Sequence, residues 1–135
     1  MLKRASFAAA AIAAVSIASG AQAGTLDDVK ARGILHCIVN TGLPGFSFTD
    51  ANGKWAGFDA DMCRSVAAAV LGDANKVKFI PATGKTRFTL LNSKEGDVIF
   101  RNTTWTFVRD VDVKLTFIHS TYYDGQGFIL SLIHI

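Results

Sequence analysis

A thirteen-residue, alanine-rich segment set between two β-branched runs constrains this chain more than any other feature. Asp59 to Leu71 opens on two acids, carries Met62, Val66, Ala69 and Val70 at helical spacing, and stops at Gly72. Ile34 to Val39 predicts a strand before it, and Val77 to Ile80 a strand after it, closed by Pro81. Thr25 to Gly33 predicts a short helix: Thr25 can cap it, acids open it, a base closes it and glycine ends it. In "TDANGK", Asn52-Gly53 suits a turn with positive φ, so residues 46–48 and 55–58 should form a small hairpin. Arg87 to Asn92 begins a further helix, and Asp97 to Phe100 a short buried strand. Leu115 to Ile118 and Tyr122 to Leu130 have the look of additional strands. Strands that alternate with helices place the chain in the α/β class, with a mostly parallel sheet flanked by helices.

Such sheets take ligands at the carboxyl ends of their strands. Two polar loops lie there: "NTGLPGF" after the first strand and "RNTTWTFVR" after the third. The start of the chain bears on compartment instead. Lys3 and Arg4, the apolar run from Phe7 to Ile17 and the Ala21-Gln22-Ala23 triplet have the form of a secretory signal peptide over residues 1–23. Its removal leaves 12 basic residues against 11 acidic ones, a net charge of +1, so the basicity of the whole chain gives no argument for nucleic acid. Gly24 to Ile135 is long enough for one domain with a core and too short for two.

The segment "NTTWTFVRD" gathers Asn102, Thr103, Thr104 and Thr106 ahead of Arg109, with no acid before the arginine. A guanidinium fork matches a carboxylate through two parallel hydrogen bonds, and flanking hydroxyls serve its remaining lone pairs. A helix beginning near Thr106 would add its free N–H groups to that field. The competing reading pairs Arg109 with Asp110 or Asp112 at the surface. Phe46 leaves a glycine-rich loop at a strand end and is the aromatic best placed to wall a ligand; most of the others belong to the core.

Several enzyme signals fail. "ATGKT" ends like a phosphate-binding loop, but Phe79 stands where that loop needs its first glycine. His36, His119 and His134 lack metal-ligand spacing, so neither a metal nor a cofactor is expected. Asp59 and Asp61 read as first-turn helix residues, not as a catalytic pair. Cys37 and Cys63 form an even count in an oxidising compartment, which invites a bridge; two buried free thiols are the other reading.

Three blocks in this order, "NTGLPGFSFTDANGKWAGFDADMCRSVAAAVLGD", "RNTTWTFVRD" and "TYYDGQGF", resemble the amino-terminal part of periplasmic amino-acid-binding proteins, the solute-binding components of general L-amino-acid ABC transporters. The likeness runs from about Thr25 to Leu130. It implies the first lobe of a type II clamshell, with residues 24–130 forming that lobe, the second lobe absent, and the tail 131–135 unlike the family. It implies that Arg109 and Thr104, with Thr106, hold the α-carboxylate of a free L-amino acid, and that Asn40 and Phe46 line its side-chain space. It further implies capture without chemistry in the periplasm of a Gram-negative bacterium, permease subunits as partners, and a monomer when intact. A dehydratase of the prephenate or arogenate type on the same scaffold, or the sensing domain of a membrane receptor, are the alternatives. One lobe by itself is expected to bind amino acids weakly.

Overall fold

Residues 24–113 and 115–127 are described in the computed structural model of the chain. The segment 1–23, with its signal-peptide pattern, and the tail from 128 onward lie outside the described residues.

Three parallel strands form the sheet: β1 (Leu35–Asn40), β4 (Val77–Ala82) and β5 (Val98–Ile99), in the order β4-β1-β5. Central β1 pairs with β4 from Leu35↔Val77 through Asn40↔Ala82, and with β5 at Cys37↔Val98 and Ile38↔Ile99. A strand flanked on both edges must be apolar on both faces. Accordingly Leu35, Cys37, Ile38 and Val39 are all buried. The separate hairpin joins β2 (Phe48–Thr49) to β3 (Trp55–Ala56), with Gly53 at φ 75° in its turn.

The helices are α1 (Thr25–Arg32), α2 (Phe58–Leu71), α3 (Arg87–Asn92) and α4 (Phe107–Val111). Helix α2 covers one face of the sheet through Ala60, Cys63 and Ala67, all fully buried. The expected stripe was rotated: Ala69 is exposed, while Met62, Val66 and Val70 are half-buried. Small residues win the buried positions because they let the helix approach the sheet closely. Cys37 on β1 and Cys63 on α2 are joined as a disulfide, with Cα atoms 6.0 Å apart. On the other face Gly96 sits so near Ile38 that a Cβ there would fall 2.4 Å from the Ile38 Cγ1.

Four local readings needed correction. Gly24, not Thr25, precedes the first helical turn, and its carbonyl accepts from the N–H of Asp27 and of Asp28. Strand β1 runs one residue later than predicted and ends on Asn40. Pro81 lies inside β4 and does not close it; β4 is an edge strand, where a missing N–H can face away from the ladder. Residues 115–127 form no strand. Their apolar alternation finds no ladder partner among the described residues, and Ile118 and Tyr123 are 89% and 85% exposed.

Candidate functional site at the carboxyl ends of the sheet

Because β1, β4 and β5 are parallel and in register, their carboxyl ends deliver Asn40, Ala82 and the 100–102 segment to one place. Asn102 is the hub. Its Oδ1 accepts from Asn40 Nδ2 at 3.0 Å and from Arg101 Nη2 at 3.1 Å, and its backbone oxygen accepts from Arg87 Nη1 at 3.2 Å. Arg101 also donates through Nη1 to the Ala82 carbonyl oxygen at 2.6 Å, so one guanidinium ties two strand ends together.

Arg109 is set by its own loop. Its Nη1 donates to the Thr104 carbonyl oxygen at 2.7 Å, and its backbone N–H to the Thr106 hydroxyl at 3.4 Å, which caps α4. No carboxylate among the described residues lies within ion-pair reach of Arg109. Asp110, the expected surface competitor, accepts instead from Trp105 Nε1 at 3.2 Å. The Arg109 guanidinium lies 5.8 Å from the centre of the Phe88 ring. The field expected from helix N–H groups is slight: α4 is one turn of five residues, and Thr106 occupies the Arg109 N–H.

The loop bearing Phe46 is fastened to the start of α2. Phe58 and Asp59 donate their N–H groups to the Gly45 and Phe46 carbonyls at 2.9 and 2.8 Å. Between them Gly57 adopts φ 107°, and a Cβ there would meet the Phe46 carbonyl oxygen at 2.5 Å. Ser47, fully buried, accepts through Oγ from the Asn40 N–H at 3.0 Å and secures the other end. The Phe46 ring meets Phe58 and Tyr122 edge-on, at 6.2 and 5.1 Å. Asn40 and the arginine loop therefore come together through Asn102, whereas the Phe46 ring packs on Phe58 of α2 and on Tyr122 of the 115–127 segment.

Three residues went unassigned in the sequence. Asp59, read there only as a first-turn acid, is 4% exposed and its Oδ2 has no partner; burial raises its carboxyl above the usual range, with Arg101 pulling the other way. Burial lowers Arg101 below its usual value, and Asp59 partly offsets this. Arg87 is lowered by burial first, then by Arg101 and Arg109. A cation at the opening of α3 opposes the helix dipole, and that local anomaly was the one signal that could have found Arg87. Nothing local marked Arg101 beyond its place at the head of "RNTTWT".

Residues 35–131 match the family described as bacterial extracellular solute-binding proteins, family 3. The chain is 56% identical to the glutamate/glutamine/aspartate/asparagine-binding protein BztA of Rhodobacter capsulatus over 97% of its length and 38% of that protein's. It is 57% identical to the general L-amino acid-binding periplasmic protein AapJ of Rhizobium johnstonii, over 90% of this chain and 35% of the relative. The chain thus spans little more than a third of these relatives. Among solved structures, a periplasmic binding protein of an ABC transporter from Brucella ovis with glutathione bound is similar at TM-score 0.65 and 57% identity, over 67% of this chain and 28% of that one. The arginine-bound domain 1 of TmArgBP aligns at TM-score 0.56 and 33% identity, over 62% of this chain and 64% of that one.

Proposed function

From the premise that this chain belongs to the bacterial extracellular solute-binding proteins of family 3, we propose that it supplies the carboxylate-gripping lobe of a periplasmic amino-acid receptor. Arg109 and the Thr104 hydroxyl take the α-carboxylate of a free L-amino acid, with Thr106 holding the arginine's backbone and Asn40 and Phe46 facing the rest of the ligand. The observation that carries this is the state of Arg109: anchored by the Thr104 carbonyl, yet with no carboxylate among the described residues within reach. An anchored guanidinium with spare donors is prepared for a bidentate acid.

The domain reading is residues 24–130 as this lobe, after a signal peptide over 1–23 that is removed on export, with 131–135 outside it. A second lobe closes over the ammonium end, and the closed form is what permease subunits of an ABC importer receive. The complete receptor acts as a monomer, in the periplasm of a Gram-negative bacterium, and alters no bond in its ligand. Two relatives whose names specify amino acids support the ligand class. Arginine bound to a lone domain 1 in a neighbour supports the view that one lobe can hold part of the ligand.

Each charged hydrogen bond in a sheltered site is worth about 1.5–3 kcal/mol, against about 0–1 kcal/mol for an exposed ion pair. Calorimetry with a panel of L-amino acids tests the reading. The complete protein should bind, and Arg109→Met should abolish binding of every ligand in the panel. Retained affinity in that variant would remove the reading. Mass spectrometry of the exported protein, expected to begin at Gly24, tests the processing.

A further inference from the structure

Taking Arg109 as the clamp for the α-carboxylate, as proposed above, we propose that Arg101 is a positioning residue for it, acting through Asn102 to fix the arginine loop over the strand ends. In the order β4-β1-β5 the outer strands do not meet, and two strand spacings separate their ends by roughly 9–10 Å. The Arg101 guanidinium crosses that gap. From the segment after β5 it donates through Nη1 to the Ala82 carbonyl oxygen at the end of β4, and through Nη2 to Asn102 Oδ1. Asn40, at the end of the central strand, donates to the same Asn102 oxygen at 3.0 Å. One guanidinium and one amide oxygen thus tie all three strand ends into a platform under the loop.

The bonds of the clamp itself are internal to its loop. Arg109 Nη1 holds the Thr104 carbonyl and the Thr106 hydroxyl caps α4, which fixes the shape of residues 104–109. The Phe88 ring, 5.8 Å from the Arg109 guanidinium, gives one contact outside the loop. The loop's place over the sheet comes from Asn102, whose side chain Arg101 and Asn40 hold and whose carbonyl Arg87 holds. Without Arg101 the clamp stays whole but swings, and a ligand must restore the lost order as it binds. A neutral staple would join β4 to β5 at less cost than a half-buried cation with an unpartnered, buried Nε. The planar fork adds direction, which one lysine end does not supply. Asp59, buried at the start of α2, is the acid whose field favours the Arg101 charge.

Calorimetry on the complete protein with L-glutamine as the probe, well below the unfolding midpoint, tests this role. Arg101→Met should weaken binding about tenfold, the equivalent of one charged hydrogen bond, where Arg109→Met abolishes it. Asn102→Ala should weaken binding at least as much, and Arg101→Met should then add nothing in the Asn102→Ala background. Arg101→Lys keeps the charge and loses the fork, so it should bind within roughly threefold of Arg101→Met. A merely structural role would lower the unfolding midpoint and leave the affinity of the folded protein unchanged, which overturns the proposal. Full recovery by Arg101→Lys, or losses that add with those of Asn102→Ala, also overturn it. Should Arg101→Met not fold, Asn102→Ala at an exposed position carries the test, and wild-type affinity there overturns the proposal. The two readings fail separately. Abolished binding in Arg109→Met beside wild-type binding in Arg101→Met leaves the clamp standing and removes only the positioning role. Retained binding in Arg109→Met removes both.

Discussion

Arg109 holds the carbonyl oxygen of Thr104 through Nη1 at 2.7 Å, so the guanidinium and the threonine loop in front of it form one unit. A lysine cannot reproduce that fork: it has a single charged end for both the carbonyl and a ligand acid. Arg109→Lys is expected to weaken amino-acid binding by about tenfold or more, measured by calorimetry. Thr106→Ala removes only the cap on a one-turn helix, worth roughly 1 kcal/mol of local stability. A Thr106→Ala loss as large as that of Arg109→Lys would place the hydroxyl on the ligand.

The Cys37–Cys63 bridge closes a loop with a sequence separation of 26 and staples β1 to α2 beneath the site. A chain-entropy account assigns a loop of this length about 3.5 kcal/mol. The double variant Cys37→Ala, Cys63→Ala should therefore lose roughly that much in urea denaturation, and wild type under reducing conditions should lose a similar amount. Equal midpoints for oxidised and reduced wild type would show that the bridge is not formed in solution.

Gly57 has both a positive φ and the Phe46 carbonyl against its α-carbon. Gly57→Ala adds strain and a clash with backbone, which cannot rotate away as a side chain could. A loss of about 2 kcal/mol or more is expected in denaturant, together with weaker ligand binding because the Phe46 loop must shift. Wild-type stability and affinity in this variant would mean that the loop is not held against α2 as described.

Asp59 makes stability depend on acidity in a stated direction. Burial raises its carboxyl, so between the ordinary carboxylate range and the raised value the folded chain holds a proton that the unfolded chain has released. Its contribution is therefore fully present below the ordinary range and is lost as pH rises through the raised value. Asp59→Asn removes this dependence, and its stability relative to wild type should improve as pH climbs from acid towards neutrality. Urea titrations across that interval that give a constant difference would show the carboxyl to be unperturbed.

Elements with local signatures were legible in the sequence. Helix α2 ends at Gly72 because that residue takes φ 71° at the helix end, and glycine adopts this at least cost. Arg109 and its threonines also stood out, because several short polar groups beside a lone cation form a pattern within ten residues. Residues 115–127 misled for the complementary reason: alternation describes what a strand would look like but supplies no neighbour to pair with.

By itself the chain's order of residues determined the α/β alternation, the two polar loops at strand ends and the local motif of short polar residues ahead of Arg109. What the tertiary structure decided was which distant groups share that place. Arg87 and Arg101 are ordinary residues of separate segments until the parallel pairing of β4 and β5 with β1 brings those strand ends level, and Asp59 acts on Arg101 from the first turn of α2. Charge interactions depend on distance in space, and pairing register sets that distance, so the cluster of guanidiniums exists only in the folded chain.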